Sequence, residues 1–274
     1  MTQPSSNEQP QRFGLIVIGD EILSGKRIDK HMPKVIELLA ARGLALSWAE
    51  YVGDDPQRIT AALVRAFASG DVVFSTGGIG ATPDDHTRQC AAAALGVPLA
   101  LHPQAEALIR ERMQDTAREQ GLPYEPDRAD NVHRLNMGVF PQGAQIIRNP
   151  YNKIPGFSVN KVHFVPGFPV MAWPMVESVL DGLYSHLFAA HRITEKSVIV
   201  FGAMEATLTP LMESIERRFD GIKVFSLPSV DHPQYGRHIE LGVKGRPEQI
   251  EAAYTSLLEG LHGFDARLGP ELVR

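Results

Sequence analysis

The chain alternates between short continuous runs of apolar residues and stripes of apolar residues at helical spacing. The first run is LIVI at residues 15–18, which is typical of a strand buried on both faces of a parallel sheet. Apolar positions then recur three and four residues apart over 28–40, which predicts a helix that Gly43 ends as its C-terminal cap. The pattern therefore opens with a strand followed by a helix.

Two further strand–helix units follow. A strand at 46–48 leads to a helix with Asp55 as its N-cap, and an apolar strand at 72–74 leads to an alanine-rich helix that a capping box at 82–85 opens. This β-α-β-α-β-α order predicts right-handed crossovers and a mostly parallel sheet with helices on both faces. Ligands of such sheets bind at the carboxyl ends of the strands, so the loops after the first and third strands are the expected site.

The rest of the chain extends this domain and then changes pattern. A helix near 103–120, strands at 145–148 and 162–165, and a last helix near 175–188 complete an α/β domain over residues 13–190. A βαββα order follows and predicts a small α+β domain over 191–274. Its elements are a strand at 197–201, a helix ending near 219, strands at 222–227 and 237–243, and a helix at 247–262. Residues 1–12 are polar and rich in Pro, Ser and Gln, and we predict a disordered tail there.

The composition narrows the class of protein. Of 274 residues, 27 are Lys or Arg and 32 are Asp or Glu, so the net charge is −5 without a basic tract and we expect no nucleic-acid partner. The sequence has no run of about 18 apolar residues, so we expect no membrane span. A single cysteine, Cys90, excludes a disulfide framework and fits a reducing cytoplasm, where we expect it to be buried and inert. We therefore expect a cytoplasmic globular protein.

A glycine-rich segment, STGGIGATPDDHT at 75–87, lies between the third strand and the next helix. Gly77, Gly78 and Gly80 let backbone amides approach an anion closely, and the adjacent helix start favours negative charge. The glycine spacing does not fit G-x-G-x-x-G, which excludes a Rossmann dinucleotide site. We predict a phosphate-binding turn, with a tight turn that binds no ligand as the alternative.

Carboxylates accompany this turn. Asp84 and Asp85 follow the glycines, Asp20 and Glu21 follow the first strand, and Asp54 precedes the second helix. Loops after neighbouring parallel strands lie at one edge of a sheet, so Asp20, Asp54 and Asp85 are predicted to hold Mg²⁺ or another divalent cation on a diphosphate. Capping of helix starts is the alternative for the acidic pairs.

Five separated motifs resemble, in order and spacing, the molybdopterin-binding (MoCF biosynthesis) domain of the competence/damage-inducible CinA proteins. They are GDEILSG at 19–25, VGDD at 52–55, TGGIGATPDDHT at 76–87, PQGAQIIRNP at 141–150 and VPGFP at 165–169. The βαββα tail resembles the KH-like middle domain of the same family through GAMEATLTPLMESI at 202–215. KH modules bind RNA through a G-x-x-G loop that joins two helices, and no such helix-joining loop is found in 197–262, so we expect this tail to serve in interdomain packing or dimerisation.

The resemblance implies a three-layer α/β sandwich, a homo-oligomer (dimer or trimer), and a nucleotide- or pterin-linked phosphate on the turn that matches residues 76–80. CinA-type domains are associated with divalent-metal-dependent hydrolysis of ADP-ribose, and the related molybdenum-cofactor enzymes adenylylate molybdopterin with aspartates that match Asp54 and Asp85. Asp54 and Asp85 are therefore the predicted catalytic residues, with Asp20 as a third metal ligand. The predicted ligand-binding residues are Gly19, Asp20, Glu21, Ser24, Gly25, Thr76, Gly77, Gly78, Gly80, Asn149, Pro166 and Gly167.

Two motifs depart from the family pattern. The loop that commonly reads NPxGTAPG is NPYNKIPG here, and the P-G-x-P-x-E-M run lacks its Glu beside Met171. The chain also ends at Arg274, before the amidase domain of full-length CinA proteins, so we expect no deamidase activity. The leading prediction is a metal-dependent nucleotide pyrophosphatase that acts on ADP-ribose or a related dinucleotide diphosphate. Molybdopterin binding or adenylylation is the second prediction, and a non-catalytic pterin- or nucleotide-binding protein is the third.

Overall fold

The computed structural model describes residues 11–188, 194–264 and 266–273. The chain divides into two compact units, Met1–His186 and Leu187–Arg274. The tail predicted for residues 1–12 lies outside the described residues except for its last two positions. No helix within the described ranges combines the length and the apolar character needed to cross a membrane.

The first unit is built on a six-stranded sheet. The six strands of the sheet are β1 (Phe13–Ile18), β2 (Leu46–Val52), β3 (Val72–Thr76), β6 (Gln145–Ile147), β7 (Gly156–Val159) and β8 (Val162–Val165). Two further strands, β4 (Leu99–Leu101) and β5 (Val139–Pro141), form a separate two-stranded ribbon. The sheet order is β2-β1-β3-β8-β7-β6. The pairs β1/β2, β1/β3 and β3/β8 are parallel, whereas β7 runs antiparallel to both of its neighbours. Strands β2, β1, β3, β8 and β6 therefore all end at one edge, which we call the carboxyl edge.

Helices cover this sheet and confirm the predicted α/β class with a mostly parallel sheet. They are α1 (Asp20–Leu23), α2 (His31–Ala40), α3 (Pro56–Ser69), α4 (Thr87–Leu95), α5 (Pro103–Glu119), α6 (Ala129–Arg134) and α7 (Pro169–Leu183). Helix α2 packs on α7, and α3 packs on α4. The core below α3 includes a stack of three rings, Phe140, Phe157 and Phe164, whose successive centroids lie 4.6 and 4.4 Å apart.

The second unit is a four-stranded antiparallel sheet with two helices. Its elements are β9 (Thr194–Phe201), α8 (Glu205–Arg218), β10 (Lys223–His232), β11 (Gly236–Gly245), α9 (Pro247–Leu261) and β12 (Arg267–Val273). The strand order is β10-β11-β9-β12. The predicted α+β unit is confirmed, and β12 adds a strand that the βαββα pattern did not include.

Three helix starts differ from the sequence predictions. Helix α2 begins at His31 and not near Ile28, which is 85% exposed. Helix α4 begins at Thr87, because the carboxylate of Asp85 closes a separate turn on Thr82. Helix α7 begins six residues earlier than predicted, at Pro169, where a proline in the first turn costs no hydrogen bond.

Candidate functional site

The carboxyl edge gathers the loops that carry the predicted site residues. Gly19–Gly25 follow β1, Asp54 follows β2, Gly77–Asp85 follow β3, Asn149 follows β6, and Pro166 and Gly167 follow β8. Because these five strands end at the same edge, residues separated by more than a hundred positions meet in one region. The predicted convergence of the β1 and β3 loops is therefore present.

The turn after β3 requires glycine at two successive positions. Gly77 has a φ of 98°, and a Cβ there would lie 2.2 Å from the carbonyl oxygen of Ile18. Gly78 has a φ of 68°, and its Cβ would lie 2.1 Å from Oγ1 of Thr87. The Thr87 amide donates to the Gly78 carbonyl at 3.0 Å, and its hydroxyl donates to the Gly77 carbonyl at 3.1 Å. The start of α4 thus holds the turn in one conformation.

This turn presents a row of unused hydrogen-bond donors. Within the described part of the chain, the four consecutive backbone amides of Gly78–Ala81 have no acceptor. The preceding amide, that of Gly77, donates to the carbonyl of Val165 at 3.1 Å and anchors the turn to β8. Successive N–H groups in a glycine-rich turn form a concave donor surface that binds anions. The turn is therefore built to receive a phosphate or another oxyanion.

A reciprocal pair of aspartates lies in the β1 and β2 loops. The amide of Asp20 donates to Oδ2 of Asp54 at 2.9 Å, and the amide of Asp54 donates to Oδ1 of Asp20 at 3.1 Å. Gly53 makes room for this exchange, because a Cβ there would lie 2.4 Å from Oδ1 of Asp20. Each carboxylate keeps one oxygen outside the pair. The two loops are therefore locked together with acceptors left for a ligand.

Asp54 is the carboxyl group at the carboxyl edge whose proton affinity is raised. Burial raises its pKa above the ordinary value, and the charges of Asp20, Glu21 and Asp84 act in the same direction, against the hydrogen bond from the Asp20 amide. A carboxyl group that holds its proton more tightly beside a binding turn is a candidate for proton transfer. The catalytic role of Asp54 stays a prediction.

Asp84 and Asp85 have different contacts in the turn after β3. Oδ2 of Asp85 accepts from the amide of Thr82 at 2.8 Å and from its hydroxyl at 2.5 Å. The negative charge of Asp84 helps to raise the pKa of Asp54. A hydrogen bond from Thr82 lowers the pKa of Asp84 itself. Asp85 therefore shapes the turn through Oδ2, and its catalytic role stays a prediction.

The metal site predicted from Asp20, Asp54 and Asp85 is not formed. Among the residues that the structure describes, no group of three or more His, Cys, Asp or Glu side chains is placed to hold a metal ion. The physical reason is the turn on Thr82, which holds the Asp85 carboxylate. The divalent cation itself stays a prediction, and no chemical step is assigned to one.

The loop after β6 is folded on itself. Asn149 is buried, its Oδ1 accepts from the amide of Tyr151 at 3.0 Å, and its Nδ2 donates to Oδ1 of Asn152 and to the carbonyl of Ile154. Lys153 has a φ of 65° and reaches away to carboxylates of α5. Asn149 therefore shapes the loop that departs from the family pattern, and direct ligand contact by its side chain stays a prediction.

The remaining predicted ligand residues divide into buried and exposed ones. Thr76 is buried, with its hydroxyl 3.5 Å from the carbonyl of Ile16, so its contribution to a site is limited to the backbone. Ser24 and Gly25 are exposed beyond α1. Gly167 lies against the turn, since its Cβ would be 3.4 Å from Cα of Gly77. The loops after β3 and β8 are therefore in direct contact.

Three residues at this edge have features that the sequence motifs did not single out. Phe168 and Tyr151 are 56% and 63% exposed, although aromatic rings of this size are usually buried. His31, at the start of α2, donates from Nε2 to the carbonyl of Gly167 at 2.9 Å. The aromatic residues within P-G-F-P and N-P-Y-N are the sequence signal for the first two, whereas nothing local in the sequence indicates the contact of His31.

The comparisons with known proteins agree with these motifs. A CinA-like protein of Anaeromyxobacter dehalogenans is 34% identical over 160 residues, which are 57% of this chain and 37% of that protein. A CinA-like protein of Geobacter metallireducens is 30% identical over 270 residues, which are 96% of this chain and 61% of that protein. The chain therefore spans less than two thirds of the length of these relatives.

A solved structure also resembles part of this chain. The crystal structure of the protein CinA with unknown function from Thermoplasma acidophilum matches 62% of this chain and 98% of its own chain, with 26% identity and a TM-score of 0.52. The resemblance to CinA proteins is thus confirmed. Residues 14–186 match the family model described as a probable molybdopterin binding domain, and the chain belongs to that family.

Proposed function

We propose that the carboxyl edge binds a phosphorylated pterin of the molybdopterin class. The observation that carries the proposal is the row of four amides, Gly78–Ala81, without an acceptor in the described part of the chain. An anionic group on these amides would make charge-assisted hydrogen bonds, which are worth about 1.5–3 kcal/mol each. Family membership supports the pterin as the remainder of the ligand.

The aspartate pair supports the same ligand class. The free oxygens of Asp20 and Asp54 are acceptors and suit N–H donors of a heterocyclic ring. The exposed ring of Phe168, beside Gly167, offers an apolar face for stacking. In this arrangement the phosphate lies on the glycine turn and the ring lies toward the acidic loops.

The test compares molybdopterin with its dephosphorylated form in equilibrium titrations under anaerobic conditions. Loss of two amide–phosphate hydrogen bonds, about 3 kcal/mol, should weaken binding by about a hundredfold. Amide resonances of Gly78 and Gly80 should shift on binding of the phosphorylated ligand. Equal affinity for the two forms, or shifts confined to other segments, would refute the proposal.

A second candidate function at this edge is cleavage of a diphosphate linkage, as in ADP-ribose hydrolysis. The raised pKa of Asp54 favours it, because such a carboxylate can accept a proton from an attacking water. The water oxygen would bond to one phosphorus while the bridging P–O bond breaks, which yields AMP and ribose 5-phosphate. The requirement for a divalent cation that the sequence resemblance implies stays a prediction.

Product analysis separates this activity from binding alone. ADP-ribose is incubated with the chain in Mg²⁺, Mn²⁺ or Co²⁺ and in excess chelator. Asp54→Asn should reduce turnover by at least about a hundredfold, since loss of a general base costs that much. Asp127→Asn, at an exposed aspartate outside the edge loops, is the matched control and should retain turnover. Absence of AMP under all conditions would reject catalysis and leave the binding proposal to its own test.

A further inference from the structure

A second concave surface lies on the α4 side of the glycine turn. This cavity, which we call the Arg88 pocket, has a volume of about 350 Å³ and lies between the start of α4, the β4–β5 ribbon and α6. Its lining includes neither Asp20 nor Asp54, and its polar side chains include Asp85, His86, Arg88, Gln89, His133 and Asn136. A volume near 350 Å³ is within the range of small-molecule sites, which is about 300–1,000 Å³.

Arg88 is the unusual member of this lining. It is 4% exposed, and one guanidinium nitrogen donates to the carbonyl of Ile79. Burial lowers the pKa of Arg88, while the charge of Asp85 acts in the opposite direction without a direct ion pair in the described residues. A guanidinium has five N–H donors, so one carbonyl leaves most of them unused. A buried charge without a close counter-charge costs several kcal/mol.

The other walls of the pocket are held in place by hydrogen bonds. Nε2 of His133 donates to the carbonyl of Ala81 at 3.1 Å, so Nδ1 is free to accept from Nδ2 of Asn136 at 3.3 Å. Oδ2 of Asp85 is occupied by Thr82. The remaining donors are therefore those of Arg88, and Asp85 offers an acceptor for N–H or O–H groups elsewhere on a ligand.

We propose that the Arg88 pocket binds the phosphate or carboxylate group of a small polar molecule, at a site that adjoins the glycine turn and shares Ala81, Thr82 and Asp85 with its loop but is centred on Arg88. The oxyanion would take the unused N–H groups of Arg88 in a forked, two-point contact, the geometry that guanidinium provides for both groups. The ligand supplies the counter-charge that the described residues do not bring into contact with Arg88.

The test follows the side-chain resonances of the pocket during titration with inorganic phosphate and, separately, with acetate, at constant ionic strength set by chloride. The Nε–H signal of Arg88 and the amide signals of Asn136 should shift saturably with at least one of the two anions, which also distinguishes phosphate from carboxylate recognition. Shifts at Gly78 and Gly80 report the proposed phosphate site on the turn instead. Saturable shifts confined to the turn, or none with either anion, would overturn the pocket proposal.

Two variants localise the effect. Arg88→Met removes the charge and keeps an unbranched apolar chain in a buried position, and it should abolish the shift of Asn136. Gln89→Glu adds a negative charge at an exposed lining position and should weaken anion binding by about threefold or more. Gln104→Glu makes the same change at an exposed residue outside the lining and should leave the affinity unchanged. Equal weakening by both glutamates would overturn the proposal even if Arg88→Met fails to fold.

Discussion

His163 lies fully buried in β8 between two hydroxyl groups. Its Nδ1 lies 2.7 Å from Oγ of Ser158, and its Nε2 lies 2.7 Å from the hydroxyl of Tyr184. Burial lowers the pKa of His163 from 6.5 to about 4, and burial raises the pKa of Tyr184 to about 12. Both side chains are therefore neutral in the folded protein at neutral pH, and protonation of His163 opposes folding.

The pKa difference sets the size of this effect. A folded-state pKa of about 4 against an unfolded value of 6.5 means that the unfolded chain binds more protons between these two values. The stability contributed by neutral His163 is complete above pH 6.5 and is lost as the pH falls toward 4. At about 1.4 kcal/mol per pKa unit the full loss is about 3 kcal/mol, of which about 2 kcal/mol is reached by pH 5.

The perturbation is His163→Gln, which keeps donor and acceptor groups but does not titrate. Urea unfolding is followed by tryptophan fluorescence at several pH values between about 8 and 5, because Trp48 and Trp173 are the chain's two tryptophans and both lie in the first unit. The variant should be less stable at pH 8. The difference in free energy of unfolding between the natural chain and the variant should then narrow by about 2 kcal/mol at pH 5, because only the natural chain loses stability through protonation of His163.

The control is His262→Gln, an exposed position in the second unit. It should leave the tryptophan-monitored transition and its pH dependence unchanged. A gap between natural chain and His163→Gln that stays constant from pH 8 to pH 5 would mean that His163 does not titrate abnormally. The inference from burial to pKa would then be wrong for this group.

Three further substitutions test the construction of the carboxyl edge and the loops beside it. Gly78→Ala should lower the free energy of unfolding by about 1–3 kcal/mol in urea titrations, because it combines a left-handed φ with a Cβ close to Thr87, whereas a loss below about 0.5 kcal/mol would contradict the tight fit. Asp55→Ala removes the N-cap hydrogen bond from the Arg58 amide and should lower the free energy of unfolding by about 1 kcal/mol in the same measurement. An unchanged free energy would contradict this stabilising role and mean that water replaces the cap. Lys153→Met should lower the Tm slightly at low salt and not at high salt, because its partners, the exposed Glu111 and the partly buried Asp115, form surface ion pairs that salt screens. A salt-independent loss would indicate packing instead.

The elements with strong periodicity could be predicted from the sequence, and the missed strands of the first unit are short. Strand β7 is four residues long and opens with a glycine, and β4 and β5 have three residues each, so no alternating pattern develops in them. Strand β12 was missed because its extended conformation depends on hydrogen bonding to β9, which is a tertiary contact. Local pattern defines these strands only after the sheet that they join is known.

The candidate site could be placed by its loops but not in its details. Parallel-sheet topology was enough to bring Asp20 beside Asp54 and both beside the glycine turn. It could not decide between Asp84 and Asp85, because adjacent residues in a turn point in different directions and the choice depends on Thr82. Likewise, the buried charge of Arg88 is invisible in the sequence, where an arginine in the first turn of a helix is ordinarily a surface residue.

The distribution of charge at the carboxyl edge bears on which ligand the site accepts. The amides of Gly78–Ala81 attract an anion. Asp20, Glu21 and Asp54 place negative charge in the neighbouring loops, and Asp84 adds negative charge at the end of the turn's own loop. A phosphorylated pterin satisfies both regions, because its single phosphate can lie on the amides and its ring offers N–H groups to the carboxylates. A diphosphate carries negative charge toward both regions and requires a cation for which the described residues form no three-ligand group. Tighter binding of ADP-ribose than of molybdopterin in the presence of chelator would reverse this ranking.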